Sequence, residues 1–129
     1  MLRLPKNLLD QMLRHLQAEA PQEACGLLSG RDRQPVRLYQ IRNVASTPQV
    51  RYDMDPQELL SAFLDMDARG EELVAVYHSH PASPAYPSAT DQRLASCPQA
   101  VYLIVSLAGP SPEVRGFRLD QQVEEVELM

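Results

Sequence analysis

The fold of this chain is decided by the stretch Leu73-Val74-Ala75-Val76-Tyr77-His78-Ser79-His80-Pro81. Its first five residues form an apolar run that includes β-branched valines, which predicts a buried β-strand. Side chains alternate between the two faces of a strand, so His78 and His80 point the same way. One metal ion can therefore contact both imidazoles. Pro81 ends the strand pattern.

A third ligand follows at a fixed distance. The Pro-rich loop from Pro81 to Pro87 leads into Ser88-Ala89-Thr90-Asp91, which completes the pattern H-x-H-x7-S-x2-D. Two imidazoles and one carboxylate make three protein ligands. Three is the number found at catalytic zinc sites, because the fourth tetrahedral position stays open for water. The pattern predicts a zinc site with His78, His80 and Asp91 as ligands, and hence a metallohydrolase.

Each half of this pattern also has a simpler explanation. A His-x-His pair on a strand is often two surface or structurally satisfied histidines. The S-x-x-D segment is a helix capping box, with Ser88 as N-cap and Asp91 in the first turn. The conjunction of both halves, joined by a short loop, favours the metal site. The remaining histidine, His15, has no ligand partner in the sequence and is expected to be a surface residue.

A third segment, E-x-x-G at Glu23 to Gly26, lies upstream of H-S-H-P and S-x-x-D. Together the three segments resemble the JAMM (MPN-plus) metalloprotease family, and most of all its stand-alone prokaryotic members. Asn43-Val44-Ala45 and the segment from Tyr52 to Pro56 extend the resemblance. It implies an α+β fold: a single JAMM/MPN, cytidine-deaminase-like domain over residues 1–129, with a mixed, curved β-sheet flanked by helices.

The resemblance also implies roles for five residues. His78, His80 and Asp91 would bind Zn²⁺, Glu23 would be the general base, and Ser88 would stabilise the oxyanion. The chemistry is consistent, because zinc lowers the pKa of bound water and a nearby carboxylate can carry its proton to the leaving amine. A hydroxyl can bond the developing oxyanion. Because the cap uses the same Ser88 oxygen, both roles can hold only at different moments and only if the side chain turns.

The rest of the chain predicts the elements around the site. A helix is expected between Pro5 and Pro21, followed by a strand from Glu23, a turn at residues 29–33 and a strand at 36–44. Asp55 is a predicted N-cap for a second helix that ends at Gly70. A short helix at 89–96 and strands at 100–107, 113–119 and 122–128 follow. The predicted buried stripes are Leu8, Leu9, Met12, Leu13 and Leu16 in the first helix and Leu59, Leu60, Phe63 and Leu64 in the second.

Composition narrows the function further. The net charge of −5 and the absence of a basic cluster argue against nucleic-acid binding. No signal peptide or membrane-spanning apolar run is found, so no membrane partner and a cytoplasmic location are expected. Cys25 and Cys97 are expected to be reduced thiols. Cys25 shares the predicted face of Glu23 and is interpreted as a wall residue, with an inhibitory ligand or an oxidation target as alternatives.

The substrate follows from the resemblance alone. It implies hydrolysis of the bond after the C-terminal Gly-Gly of a ubiquitin-like, β-grasp sulfur-carrier protein, in cysteine or sulfur-cofactor biosynthesis. The short segment between Asp91 and Cys97-Pro98 leaves no room for a large second insertion of the kind that holds ubiquitin chains in eukaryotic members. The alternatives are removal of a ubiquitin-like modifier from lysine, a non-catalytic MPN scaffold and, remotely, a phage-tail-type peptidoglycan factor.

Overall fold

The structure is a computed structural model and describes residues 1–129. The chain has an α+β fold, which confirms the predicted class. Its helices and strands are α1 (Lys6–Glu19), β1 (Cys25–Arg31), β2 (Gln34–Ile41), α2 (Pro56–Arg69), β3 (Glu72–His80), α3 (Ala89–Leu94), β4 (Val101–Ser106), β5 (Glu113–Leu119) and β6 (Val123–Val126). The strands form one open sheet in the order β2-β1-β3-β4-β5-β6. Only β3 and β4 pair in parallel, so the sheet is mixed.

The alternation of side chains along β3 divides the core into two layers. Ala75 and Tyr77 face the layer that α1 covers through Met12 and Leu16. Val76 faces the opposite layer, which α2 covers through Ala62 and Met66. His78 and His80 continue the alternation of Val76 and therefore lie on the α2 face of the sheet. The end of β3 thus presents both imidazoles beside α2 and α3.

The β1–β2 hairpin is tighter than the sequence suggested. Its turn consists of two residues, Asp32 and Arg33, whose φ angles are 52° and 63°. Two consecutive positive φ angles are characteristic of a type I′ turn, whose twist matches that of the flanking strands. As a result β1 extends to Arg31, and the strand predicted at 36–44 instead spans Gln34–Ile41.

The predicted termini of α2 are confirmed, but its predicted buried stripe is wrong. The Asp55 side chain accepts from the Gln57 backbone N–H, and Gly70 adopts the left-handed conformation. The buried residues of α2 are Ala62 and Met66, whereas Leu60 and Leu64 are both 60% exposed and Phe63 is 37% exposed. The helix offers two overlapping apolar stripes, and packing against the sheet selects the one that contains the small Ala62.

The remaining elements agree with the sequence except at their boundaries. The α1 stripe is confirmed by its buried residues Leu8, Met12 and Leu16. Helix α3 ends at Leu94 rather than at 96. The acidic side chains of Glu124, Glu125 and Glu127 are exposed, as expected of a solvated strand face. None of the three helices has the length and apolar character that crossing a membrane requires.

Candidate metal centre and active site

The structure brings the three predicted ligands together at the end of β3. The Nε2 atoms of His78 and His80 lie 3.2 Å apart. The Asp91 Oδ2 atom lies 2.9 Å from the His80 Nε2 atom and 3.2 Å from the His78 Nε2 atom. All three residues are buried. Three donor atoms therefore converge on one point and form a group that can hold a metal ion.

The hydrogen bond on the far side of His80 shows why a cation belongs at this point. The His80 Nδ1 atom lies 2.8 Å from the Pro84 carbonyl oxygen, which can only accept, so Nδ1 carries a proton. In a neutral imidazole, Nε2 then directs a lone pair at the Asp91 carboxylate. Only a cation between the Nε2 lone pair and the carboxylate oxygen satisfies both groups. A proton on Nε2 also meets this need: burial lowers the pKa of His80, but its bonds to Asp91 and Pro84 outweigh burial and raise the pKa overall.

The other two candidate ligands are held in different protonation states. Burial lowers the pKa of His78, so its imidazole is held neutral. For Asp91, burial favours the acid, but hydrogen bonds with His78 and His80 outweigh it and hold the pKa far below its usual range. A neutral imidazole and an ionised carboxylate are the protonation states that metal ligands require.

The capping box at the start of α3 orients the Asp91 carboxylate. Ser88 Oγ accepts from the Asp91 backbone N–H at 3.0 Å, and Asp91 Oδ2 accepts from the Ser88 backbone N–H at 3.0 Å. The cap and the predicted metal-ligand role of Asp91 are therefore compatible, since the cap aims the carboxylate oxygen at the histidines. Because Ser88 Oγ only accepts in the cap, its O–H remains free to donate, and the side chain can serve both roles without turning.

Glu23 lies just before β1 and beside the ligands. Its side chain is buried, 6% exposed, and its Oε1 atom has no hydrogen-bond partner. Burial raises the pKa of Glu23 to about 7, while His80 lowers it and Asp91 raises it further. An ionisable group with a pKa near 7 can both accept and release a proton under neutral conditions. Glu23 therefore has the properties of a general acid–base group.

The main chain around Glu23 is fixed on both sides. The Ala24 N–H donates to Ser79 Oγ at 3.0 Å, and the Ser79 N–H donates to the Ala24 carbonyl at 3.0 Å. These two bonds tie the segment to the end of β3, between the two histidines. On the other side the Glu23 N–H donates to the Pro48 carbonyl at 2.7 Å. The carboxyl group is thus held in place by its backbone and not by partners of its own.

Cys25 and His15 have structural surroundings. Cys25 is opposite His78 in the β1–β3 register, and its thiol donates to the Ile41 carbonyl at 3.4 Å. Burial raises the pKa of Cys25 to about 12, which favours a neutral wall residue. His15 is half-buried rather than on the surface, and its Nδ1 atom lies 2.7 Å from the Tyr77 hydroxyl. The surface prediction is wrong because the buried tyrosine hydroxyl requires a polar partner.

Two residues at the site were not assigned a role from the sequence. The Tyr52 ring stacks on the His78 ring, with centroids 4.5 Å apart and planes tilted by 30°. Asn43 donates from its amide to the Glu23 carbonyl at 2.8 Å. The sequence signal for these two residues was that their segments resemble the corresponding family segments. That resemblance indicated family membership but did not indicate which residues they contact.

An apolar cavity of about 390 Å³, called here the apolar groove, lies between α2 and α3. Most of its lining is apolar, and Asp91 forms part of its wall. The lining includes Leu27, Tyr52, Leu59, Phe63 and Leu94. A mostly apolar groove with a candidate ligand in its wall suits an extended peptide whose bond to be cleaved reaches the candidate metal centre.

Two histidines at the end of β3, with Asp91 of α3 and the unpartnered Glu23 beside them, are the arrangement expected of a metal-dependent hydrolase with an α+β fold. The chain belongs to the Prok-JAB family, described as prokaryotic homologs of the JAB domain, which it matches over residues 5–120. This assignment confirms the resemblance inferred from the three sequence segments.

Three relatives extend the comparison. The chain is 41% identical to a desampylase from Haloferax volcanii, over 78% of this chain and 76% of the relative. It is 37% identical to a CysO-cysteine peptidase from Mycobacterium tuberculosis, over 88% of this chain and 79% of the relative. It is 38% identical to a probable TtuB-protein conjugate cleaving protease from Thermus thermophilus, over 94% of this chain and 78% of the relative. The predicted enzyme class, a JAMM-type peptidase, is confirmed, and the scaffold alternative is set aside.

The fold comparison agrees. A solution structure of a protein from Desulfitobacterium hafniense superimposes with a TM-score of 0.90 at 42% sequence identity, over 100% of this chain and 92% of that protein. The two proteins therefore share the fold that carries the candidate site over the whole length of this chain.

Proposed function

We propose that this protein is a zinc peptidase that hydrolyses the bond after the C-terminal Gly-Gly of a ubiquitin-like sulfur-carrier protein. The observation that carries the proposal is the meeting of His78, His80 and Asp91 beside a buried, unpartnered Glu23. Ligand atoms and a proton carrier are the two components that metal-assisted hydrolysis needs.

Zinc is the metal that the donor set fits best. The separations of 2.9 Å and 3.2 Å between donor atoms are close to the edge of a zinc tetrahedron, about 3.3 Å for bonds of about 2.0 Å. Two imidazoles and one carboxylate leave the fourth position open. When bound, zinc would lower the pKa of a water molecule to about 7 and polarise the substrate carbonyl.

The protein residues supply the remaining chemistry. Glu23 takes a proton from the attacking water and passes it to the leaving amine, for which a pKa of about 7 is suitable. Ser88 donates its free O–H to the carbonyl oxygen as negative charge develops on it. Asp91 is held in position by the same capping box, so the metal ligand and the oxyanion donor lie in the same turn of the chain.

Two observations support the substrate class. The relatives named CysO-cysteine peptidase and TtuB-protein conjugate cleaving protease are named for protein substrates of this kind. In addition, Phe63 lines the apolar groove and lies on the same face of α2 as the exposed Leu60 and Leu64. An extended tail can enter the groove while a folded carrier rests on that face.

The relative named desampylase favours a second candidate, the release of a ubiquitin-like modifier from a lysine side chain. The same metal centre serves both reactions, because the α-amine of an amino acid and the ε-amine of lysine are chemically similar leaving groups. The groove for the carrier tail is common to both. The difference lies in what occupies the space beyond the cleaved bond.

The experiment is a cleavage assay on two conjugates of one β-grasp carrier ending in Gly-Gly, joined either to cysteine or to a lysine ε-amine. Intact-mass analysis reports the released carrier, with Glu23→Gln as the inactive control. We expect cleavage after the final glycine. Replacing that glycine by valine should lower kcat/KM on the order of 100-fold or more, because a branched side chain would collide with the walls of the groove beside the metal. Equal rates on glycine and valine tails would contradict the substrate proposal.

A further inference from the structure

The two histidines of the metal centre are held in different ways. The His80 Nδ1 atom is fixed by the Pro84 carbonyl, as is usual for metal-binding histidines, whose second ring nitrogen donates to an acceptor and so orients the ring. The His78 Nδ1 atom is buried and has no hydrogen-bond partner. Some other contact must therefore set the plane of the His78 imidazole.

The ring of Tyr52 provides that contact. It lies over the His78 ring with a centroid separation of 4.5 Å and a tilt of 30°, close to an offset stack. The His80 ring meets His78 at 5.0 Å and 61°, edge to face, and so limits rotation from another side. A flat ring packed on a flat ring restricts rotation about the final side-chain torsion, which is otherwise broad for histidine.

Asn43 fixes the position of Tyr52. Its amide donates to the Arg51 carbonyl at 3.1 Å, and its carbonyl oxygen accepts from the Asp53 N–H at 2.9 Å. These are the two residues that flank Tyr52. The same amide also donates to the Glu23 carbonyl. One asparagine side chain therefore sets the stacked ring and the proposed base relative to each other.

We propose that Tyr52 is the positioning residue for His78, with its ring face doing what a hydrogen bond to Nδ1 does at other metal-binding histidines. The stack fixes the imidazole plane and thereby aims Nε2 at the metal. The hydroxyl of Tyr52 is not needed for this role. The inference rests on the ligand set of the proposed function.

The test compares Tyr52→Leu, which removes the ring, with Tyr52→Phe, which keeps it. Tyr39→Leu is the control, since Tyr39 lies on β2 and donates to Asp65, away from the metal centre. Zn²⁺ affinity is measured by competition with a chelator, and Co²⁺ absorption reports the coordination geometry. We expect Tyr52→Leu to bind Zn²⁺ about 10- to 100-fold more weakly and to change the Co²⁺ spectrum. Tyr52→Phe and the control should stay within about twofold of the wild type.

The outcomes separate this inference from the proposed function. If the wild-type protein takes up no Zn²⁺, the ligand set itself is wrong. If it does and Tyr52→Leu binds equally well, or Tyr52→Phe loses as much as Tyr52→Leu, the positioning role is overturned. Should Tyr52→Leu fail to fold, Tyr52→Met fills similar volume without a ring and decides the question by the same measurements.

Discussion

Two buried glutamates lie at opposite ends of the β1–β3 pair and differ in their surroundings. Glu71 precedes β3 and is 7% exposed; Arg37 donates to its two carboxylate oxygens at 3.2 Å each, and Ser29 donates at 2.8 Å. These bonds lower its pKa. Glu23, equally buried, has an orphaned oxygen and a pKa raised to about 7. A buried carboxylate with its hydrogen bonds satisfied stabilises a sheet, whereas a buried carboxylate that lacks a partner and has a shifted pKa is a candidate for chemistry.

The largest expected effect is loss of a ligand at the Glu23 end. His78→Ala, His80→Ala or Asp91→Ala leaves two ligands, too few to hold a tetrahedral metal against water. Metal affinity should fall by more than the roughly 100-fold that removal of an outer-shell partner costs, and turnover should disappear. Metal content by elemental mass spectrometry checks this. Full metal occupancy in all three variants would remove the basis of the assignment.

The next largest effect concerns the base. Glu23→Gln keeps the size of the side chain but cannot accept a proton, so turnover should fall roughly 10²- to 10⁴-fold while the metal stays bound. Steady-state kinetics together with metal analysis separate the two effects. Loss of metal in this variant would make Glu23 a ligand, and full activity would assign the proton transfer to another group.

Ser88 combines a structural and a chemical role, which two substitutions distinguish. Ser88→Ala removes the cap and the hydroxyl, and should cost about 1 kcal/mol of unfolding free energy. Ser88→Gly also removes the hydroxyl but costs only a few tenths of a kcal/mol as a cap, an order-of-magnitude value. If the O–H stabilises the oxyanion, both variants lose about 10²- to 10³-fold in kcat. Activity loss confined to the alanine variant would reduce Ser88 to its capping role.

The sequence predicted the parts of the site that depend on local pattern. That His78 and His80 share one face follows from strand alternation, and Asp91 was predicted from its spacing after them in the pattern H-x-H-x7-S-x2-D. The buried stripe of α2 was predicted wrongly, because two apolar stripes overlap there and only packing chooses between them. Tyr52 and Asn43 could not be given roles, since their contacts join segments far apart in the chain.

The smallest expected effect is a pH dependence of stability in the metal-free protein. Because burial raises the pKa of Glu23 from 4.5 to about 7, the folded state binds more protons than the unfolded state between these values. Stability from this group is present below pH 4.5 and is lost as the pH rises through 7. Relative to Glu23→Gln, the wild type should lose on the order of 5 °C in Tm over this range. Calorimetry of both proteins at pH 4.5 and 8 measures the difference in Tm. The same change in Tm with pH in the wild type and in Glu23→Gln would refute the prediction.

The most direct test of the account places the two glutamates side by side. Glu23→Gln and Glu71→Gln are compared for turnover of a Gly-Gly conjugate and for Tm at pH 8. We predict that Glu23→Gln loses turnover without losing Tm, and that Glu71→Gln loses Tm, on the order of 5 °C, with turnover retained. Equal loss of turnover in both variants, or a lower Tm for Glu23→Gln than for Glu71→Gln, would contradict the assignment of one end of the sheet to chemistry and the other to stability.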